Sequence, residues 1–481
     1  MIRVHPRFPG FPIFAPALAL ALAGGIPLPG WAAPCDAPVA RAVSVQGRVE
    51  SQSTGETSWR PVAREDAFCP GDRIRVLGNG RSEIVLENET ILRMDGNTAV
   101  TIRGAERKET SLLDLLGGIA YFFSRTPRSV TVYTPFVNAA VEGTEFLVAM
   151  EENRARVTVF EGMVSATNTA GSVRVGPGQS AEAEAGKAPS LQTVVRPREA
   201  VQWTLYYPPV LPAPLDAVPP PEGPARAAFL LSIGRVEEAR AEIEGILGKS
   251  PGDARALALL ASIDVAGNRK EEALALGRKA VDADPGLAAA WIALSYAQQA
   301  VFDLKGARES LREAVRRAPG DALAWARLSE LELFFGDLAA ALEAAGKAAS
   351  LDPGVSRTQT VLGYAGLAEG RRKESKAAFG KAISLDQADP LPRLGLGLAQ
   401  IREGRLDEGR RQIEIAAALD PGNSLLRSYL GKAYYEEKRD KPASAQLETA
   451  KSLDPADPTP YFYDAIRKQS VNRPVEALHD L

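Results

Sequence analysis

The chain has 481 residues, 45% hydrophobic and 24% charged, with 57 Lys+Arg against 60 Asp+Glu for a formal charge of −3. That length allows about three or four ordinary domains, or fewer if part is a repeat array, and the composition excludes a wholly disordered or fibrous chain. The near-neutral, slightly acidic balance argues against nucleic acid as a partner.

The chain holds two histidines, His5 and His479, and two cysteines, Cys35 and Cys69. A catalytic triad needs a histidine-like base, and a zinc site needs several His, Cys or carboxylate ligands close together. The expectation is a non-enzyme without metal or cofactor, built for binding.

At the N-terminus, Arg3, His5 and Arg7 precede an apolar stretch from Phe11 to Leu28, followed by Gly30, Ala32 and Ala33. Basic, apolar, small is the order of a secretory signal peptide, here residues 1–32 with a cut after Ala32; a cut after Ala33 would leave Pro34 next. The other reading is a membrane anchor, but Pro12, Pro16, Pro27 and Pro29 break a stretch already marginal for the ~20 residues a span needs. The expected location is the periplasm or cell envelope. In that oxidising setting Cys35 and Cys69 read as a disulfide worth about 3–4 kcal/mol, the alternative being two free buried thiols.

Residues 36–199 alternate with period two. Short runs at Ala42–Val49, Arg73–Leu77, Ser82–Leu86, Thr90–Met94 and Ala99–Ile102 are followed by others through Ser172–Val175. Gly78-Asn79-Gly80 and Glu161-Gly162 read as turns between them, and the whole as an all-β sandwich or roll.

The stretches Cys69-Pro-Gly-Asp-Arg-Ile-Arg-Val, Thr131-Val-Tyr-Thr-Pro, Val141-Glu-Gly-Thr-Glu-Phe and Val175-Gly-Pro-Gly-Gln resemble the FecR-type periplasmic domain. The resemblance implies a β-rich domain outside the cytoplasm that meets partner proteins or the envelope. In iron uptake such domains relay a signal from an outer-membrane receptor to a sigma factor. Those members carry a cytoplasmic segment and a membrane helix where this chain has its signal peptide, so only the envelope-side binding half carries over.

Residues 200–224 read as an aromatic and proline-rich linker. Trp203, Leu205, Tyr206 and Tyr207 lead into Pro208, Pro209, Pro212, Pro214 and four further prolines up to Pro224. Such density favours an extended polyproline spacer. The aromatic cluster either docks on the β domain or contacts a partner.

From residue 225 to 481 the chain repeats every 34 residues. Pro251, Pro285, Pro319, Pro353, Pro421 and Pro455 mark the period, with Gln387 at the place skipped. This is the tetratricopeptide (TPR) signature, and about seven repeats are expected, the last incomplete. Trp291-Leu294-Ala307-Leu311 and Trp325-Leu328-Gly336-Ala341 are packing residues in it. The TPR resemblance implies a concave partner-binding face at Arg255, Ile292, Tyr296, Gln299, Glu330, Phe334, Arg357, Tyr364, Leu398, Arg402, Lys432 and Tyr435, suited to an extended peptide or a helix. Several of these would simply pack on the neighbouring helix. A chaperone-tail clamp needs Lys and Asn where Ile292 and Tyr296 stand.

Gly248-Lys249-Ser250 lacks the earlier glycine of a phosphate loop, since Ile243 is there. The fold class is therefore multidomain: an N-terminal all-β FecR-like domain and a C-terminal all-α TPR solenoid. The leading expectation is an exported protein-binding scaffold whose groove takes a protein and whose β domain takes an envelope component. The alternatives are a FecR-type signal relay and the front part of a larger export or outer-membrane protein.

Overall fold

The computed structural model describes residues 35, 37–107, 110–124, 129–194, 197–212 and 222–480. The expected signal peptide lies outside them. No helix among the described residues is long and apolar enough to cross a membrane.

Among the described residues thirteen strands, from Ala40–Gln52 to Ser190–Thr193, join in one sheet. It curls round a single core that includes Ile74, Ile84, Leu92, Phe122, Phe146 and Val157. Phe122 and Phe146 stack there with centroids 4.6 Å apart. Pairing is antiparallel among the described strands, except that Ser129–Tyr133 runs parallel to Thr110–Phe123.

Two of the expected turns are corrected. Arg73–Leu86 and Arg154–Asn168 are continuous strands. Gly78 and Gly162 have positive φ values of 47° and 80° and lie where the register shifts, Gly78 opposite Gln46/Arg48 and Gly162 between Glu161 and Met163, whose partners are Glu145 and Glu142. These are bulges, which let a long strand bend without ending it. A glycine in a strand pattern marks either device, and local sequence does not choose between them.

Cys35 and Cys69 form the disulfide, with Cα atoms 6.0 Å apart. Asp72 shapes the turn beside it by accepting from the Cys69 amide at 2.8 Å and the Thr54 amide at 3.0 Å. Replacing both cysteines with serine is expected to cost about 3–4 kcal/mol, because the bridge closes a loop of 34 residues. A urea titration of the double variant checks it; an unchanged midpoint refutes it.

The helical half consists of hairpins whose first helices begin at 254, 288, 322, 356, 390, 424 and 458 and whose second helices begin at 236, 270, 304 and so on to 474. Each proline place separates two hairpins, so seven places accompany eight hairpins among the described residues, one more than the expected seven. The additional one is Pro224–Ser232 with Val236–Lys249. Small residues let the helices approach. A Cβ added at Gly363 or Gly395 would come within 2.5 or 2.3 Å of the buried Phe379 ring. Gly395→Ala is accordingly expected to lower stability by about 1–3 kcal/mol through overpacking, read by thermal unfolding.

The array curls until its second hairpin meets the turn between the seventh and the eighth. Lys270 Nζ lies 2.8 and 2.9 Å from the Asp454 carboxylate, joining the second hairpin to the turn after the seventh.

Candidate functional site: the inner wall of the solenoid

The wall is already in use. A 3-10 helix, Pro197–Thr204, leaves the β domain, and the chain then runs without helix or strand from Leu205 to Pro212 along the inside of the solenoid. Tyr207 and Val210 are buried in the apolar cluster built by Leu257, Leu259, Ile292 and Leu323. Ser262 Oγ donates to the Pro208 carbonyl at 2.7 Å. The Tyr206 amide hydrogen-bonds Asp420, and the Arg357 guanidinium stands 5.8 Å from the Tyr206 ring centroid. Burial holds the Tyr206 hydroxyl well above its ordinary pKa. A cavity of about 180 Å³ remains between this segment and Val355, Arg357, Leu385 and Asp386.

Beneath the segment is a charged and aromatic network. Glu330 bridges Arg327 at 2.7 Å and Arg357 at 3.3 Å. Arg327 lies over the Tyr296 ring at 3.8 Å and donates to Gln299. Asp389 caps the helix Pro390–Arg402 by accepting from the Leu391 amide at 3.0 Å. Exclusion of water pushes Asp389 up, and Asp420 up to about 6, Arg357 and Asn423 respectively opposing the shift.

A carboxyl with a folded pKa above its unfolded value of about 3.9 takes up a proton in the folded state first. Stability from these two groups therefore falls as pH rises through the window from about 4 to 6. The thermal midpoint is expected to be higher at pH 5 than at pH 7, checked by calorimetry in buffers of equal ionic strength.

The twelve expected groove residues divide. Tyr296, Gln299, Glu330 and Arg357 come together in the network just described. Ile292 is buried in the apolar cluster beside it. Tyr364 donates to the Leu391 carbonyl at 2.8 Å and meets Phe379 edge-on. Leu398 and Tyr435 pack into the cluster shared with the β domain. Lys432 pairs with Glu436 at 2.9 Å, and Arg402 donates to the Leu367 carbonyl at 2.9 Å. Arg255 and Phe334 are exposed.

The expected spacer is better described as a bound strap over residues 203–212. Trp203 of its aromatic cluster docks on the β domain, as one of the two readings had it, while Tyr206 and Tyr207 lie on the solenoid, which neither reading had. Arg93 lies 5.7 Å from the Trp203 ring, and Arg81 donates to the Trp203 carbonyl at 3.3 Å and the Ser232 carbonyl at 2.8 Å.

The joint between the domains uses residues that sequence reasoning passed over. Arg93, fully buried and paired with Glu83 at 3.0 Å, donates to the Ala418 and Leu419 carbonyls at 2.7 and 2.9 Å. These are the last carbonyls of the helix Leu406–Leu419, without partners in the helix itself, where the helix dipole favours a cation. Arg427 reaches Glu145 of the β domain at 2.7 Å, and Glu145 also accepts from Tyr121. Arg393 donates to the Val43 carbonyl, and the Val45 amide donates to Gln387 Oε1 at 3.0 Å.

A signal for these residues was present. Arg393 and Arg427 stand three and four repeats after Trp291, where Trp291 and Trp325 each donate to a turn-proline carbonyl at 2.9 Å. Gln387 stands at the skipped proline. At these three places the departure from the repeat is a β-domain contact, whereas Gln359 and Tyr461, at the same place as Trp291, keep the bond to the turn-proline carbonyl.

Fold and wall together define a class of protein, a β roll and its outgoing strap clasped by a helical-hairpin solenoid. Residues 72–165 match the FecR protein family, residues 229–288, 293–356 and 394–458 match the tetratricopeptide repeat, and 356–389 match a second repeat family of that description. The chain is a FecR domain followed by a TPR array. No curated protein matches it.

Among solved structures, the Cut9–Hcn1 hetero-tetramer of APC/C is 20% identical with a TM-score of 0.45, covering 53% of this chain and 51% of that one. A putative anti-sigma factor from Parabacteroides distasonis is 17% identical with a TM-score of 0.25, covering 28% and 66%. A thermophilic TPR protein from Thermus thermophilus is 24% identical with a TM-score of 0.34, covering 38% and 99%. The chain thus spans about half of the matched chain of that complex and 66% of the anti-sigma factor. At these scores they carry no functional argument.

Proposed function

We propose that the protein is an exported, non-enzymatic scaffold of the bacterial cell envelope, whose solenoid holds a protein partner on its inner wall and whose FecR domain meets an envelope component. One observation carries the reading: the inner wall accommodates an extended polypeptide, residues 205–212, through side chains of several successive repeats. Its match to repeats that generally bind proteins supports the partner class, and both matched families are generally non-catalytic.

The test is affinity capture from envelope extracts with the full chain. The same partner should be retained by the native sequence and lost on Tyr296→Ala plus Tyr364→Ala. Retention by the double variant would move the binding site off this wall. Export is tested separately by fractionation, with a mature N-terminus at Ala33 and both thiols oxidised; a cytosolic, reduced pool would end that part.

A second reading, signal relay, draws on the FecR match and on the buried joint. A ligand that shifted Arg93 or Glu145 in the β domain would be felt directly in the helices Leu406–Leu419 and Ser424–Glu436.

A further inference from the structure

Residues 205–212 are held in an unusual way for a linker. Among the described residues no strand or helix pairs with them; they are held by side chains of the wall. Pro208, Pro209 and Pro212 have no amide hydrogen to satisfy and restrict the backbone before binding, so an extended segment of this composition loses little entropy when it lies down. Tyr207 and Val210 enter the apolar cluster, Ser262 and Asp420 hold backbone atoms, and Tyr206 stands before Arg357. That is the arrangement of a peptide ligand in a recognition groove: aromatic and aliphatic anchors, proline spacing, and a few polar contacts to the main chain.

The fit is also incomplete. The 180 Å³ cavity lies against the segment itself. Arg357 is buried and its Nη1 has the 3.3 Å ion pair to Glu330, yet its Nε donates no hydrogen bond, and Asp389 Oδ2 accepts none. A resident that leaves space and polar atoms unmet is replaceable by one that does not, because buried groups without hydrogen bonds are costly.

We infer that residues 205–212 are a resident copy of the groove's ligand, and that the outside partner presents an extended segment of the same chemistry, paired aromatics followed by prolines and an aliphatic residue, which displaces them. This rests on the reading of the inner wall as the partner site and says what that partner must look like. Tethering gives the resident an effective concentration on the order of millimolar. A free peptide must therefore compete poorly with the native chain and well once the resident is disabled.

The experiment uses the full chain and a fluorescent peptide with the sequence of residues 203–212, read by anisotropy. Replacing residues 205–212 by Gly/Ser is expected to tighten peptide binding at least tenfold over the native chain. Arg357→Ala in that opened chain is expected to weaken it at least tenfold, and a scrambled peptide should not bind. If the replacement does not fold, Tyr206→Ala plus Tyr207→Ala opens the groove more gently and is read in the same way.

A folded, opened chain that binds the peptide no better than the native one overturns the inference, as does binding indifferent to Arg357. Sedimentation of the native chain separates an outside partner from a second copy. A dimer abolished by Tyr206→Ala plus Tyr207→Ala would assign the groove to the segment of a second copy and overturn the claim of an outside partner. Peptide binding with no partner captured from extracts would instead count against the scaffold reading and leave the groove chemistry standing.

Discussion

Replacing Arg427 with alanine is expected to cost about 3–5 kcal/mol and to split one unfolding transition into two. The guanidinium is fully buried at the joint, 2.7 Å from Glu145 on one side and donating to the Pro421 carbonyl at 3.0 and 3.1 Å on the other. Glu145 is itself buried. Removing one partner of such a pair leaves the other charge in a dry site, which costs far more than the pair contributes. Replacing both, Arg427→Met with Glu145→Leu, is therefore expected to recover most of the loss. Calorimetry of the two single variants and the double variant forms the cycle. Equal and additive losses would mean that the two side chains do not act as a pair.

The second large effect is expected at Arg93. Its guanidinium neutralises buried Glu83 and donates to three carbonyls, those of Thr204, Ala418 and Leu419. Arg93→Ala strands all of them at once, again at about 3–5 kcal/mol. Lysine offers a charge but not the planar fork, so Arg93→Lys should restore only part of the stability. Because Thr204 lies in the strap just ahead of residue 205, hydrogen exchange should also accelerate at residues 205–212 in Arg93→Ala. Loss of stability without faster exchange there would show that Arg93 supports the helix end alone and does not anchor the strap.

These residues also show what was legible in the sequence. Both repeat periods were: alternation gave the strands, and prolines at 34-residue spacing gave the hairpins, whose starts keep that spacing to the residue from Ala254 on. Such periods follow from local geometry, two residues per pleat and one supersecondary unit per repeat, and need no knowledge of what lies across a gap. The bulges at Gly78 and Gly162 needed more. Whether a glycine ends a strand or bends it depends on the partner strand.

The inner wall was half legible. Repeat register placed Tyr296, Glu330 and Arg357 on one face, and they do meet there. What covers that face was not readable, since the linker's prolines describe an extended chain equally well in solvent and in a groove. The apolar runs Ala120–Phe123 and Phe146–Val148 did carry a trace of the answer, because a strand apolar at successive positions has both faces covered. Composition and periodicity thus determined the two folds and their order along the chain. Only the tertiary structure decided that Arg93, Arg393 and Arg427 join those folds and that the strap fills the wall. Burying a charge is tolerable solely where partners distant in sequence converge on it, and that convergence is a property of the assembled molecule.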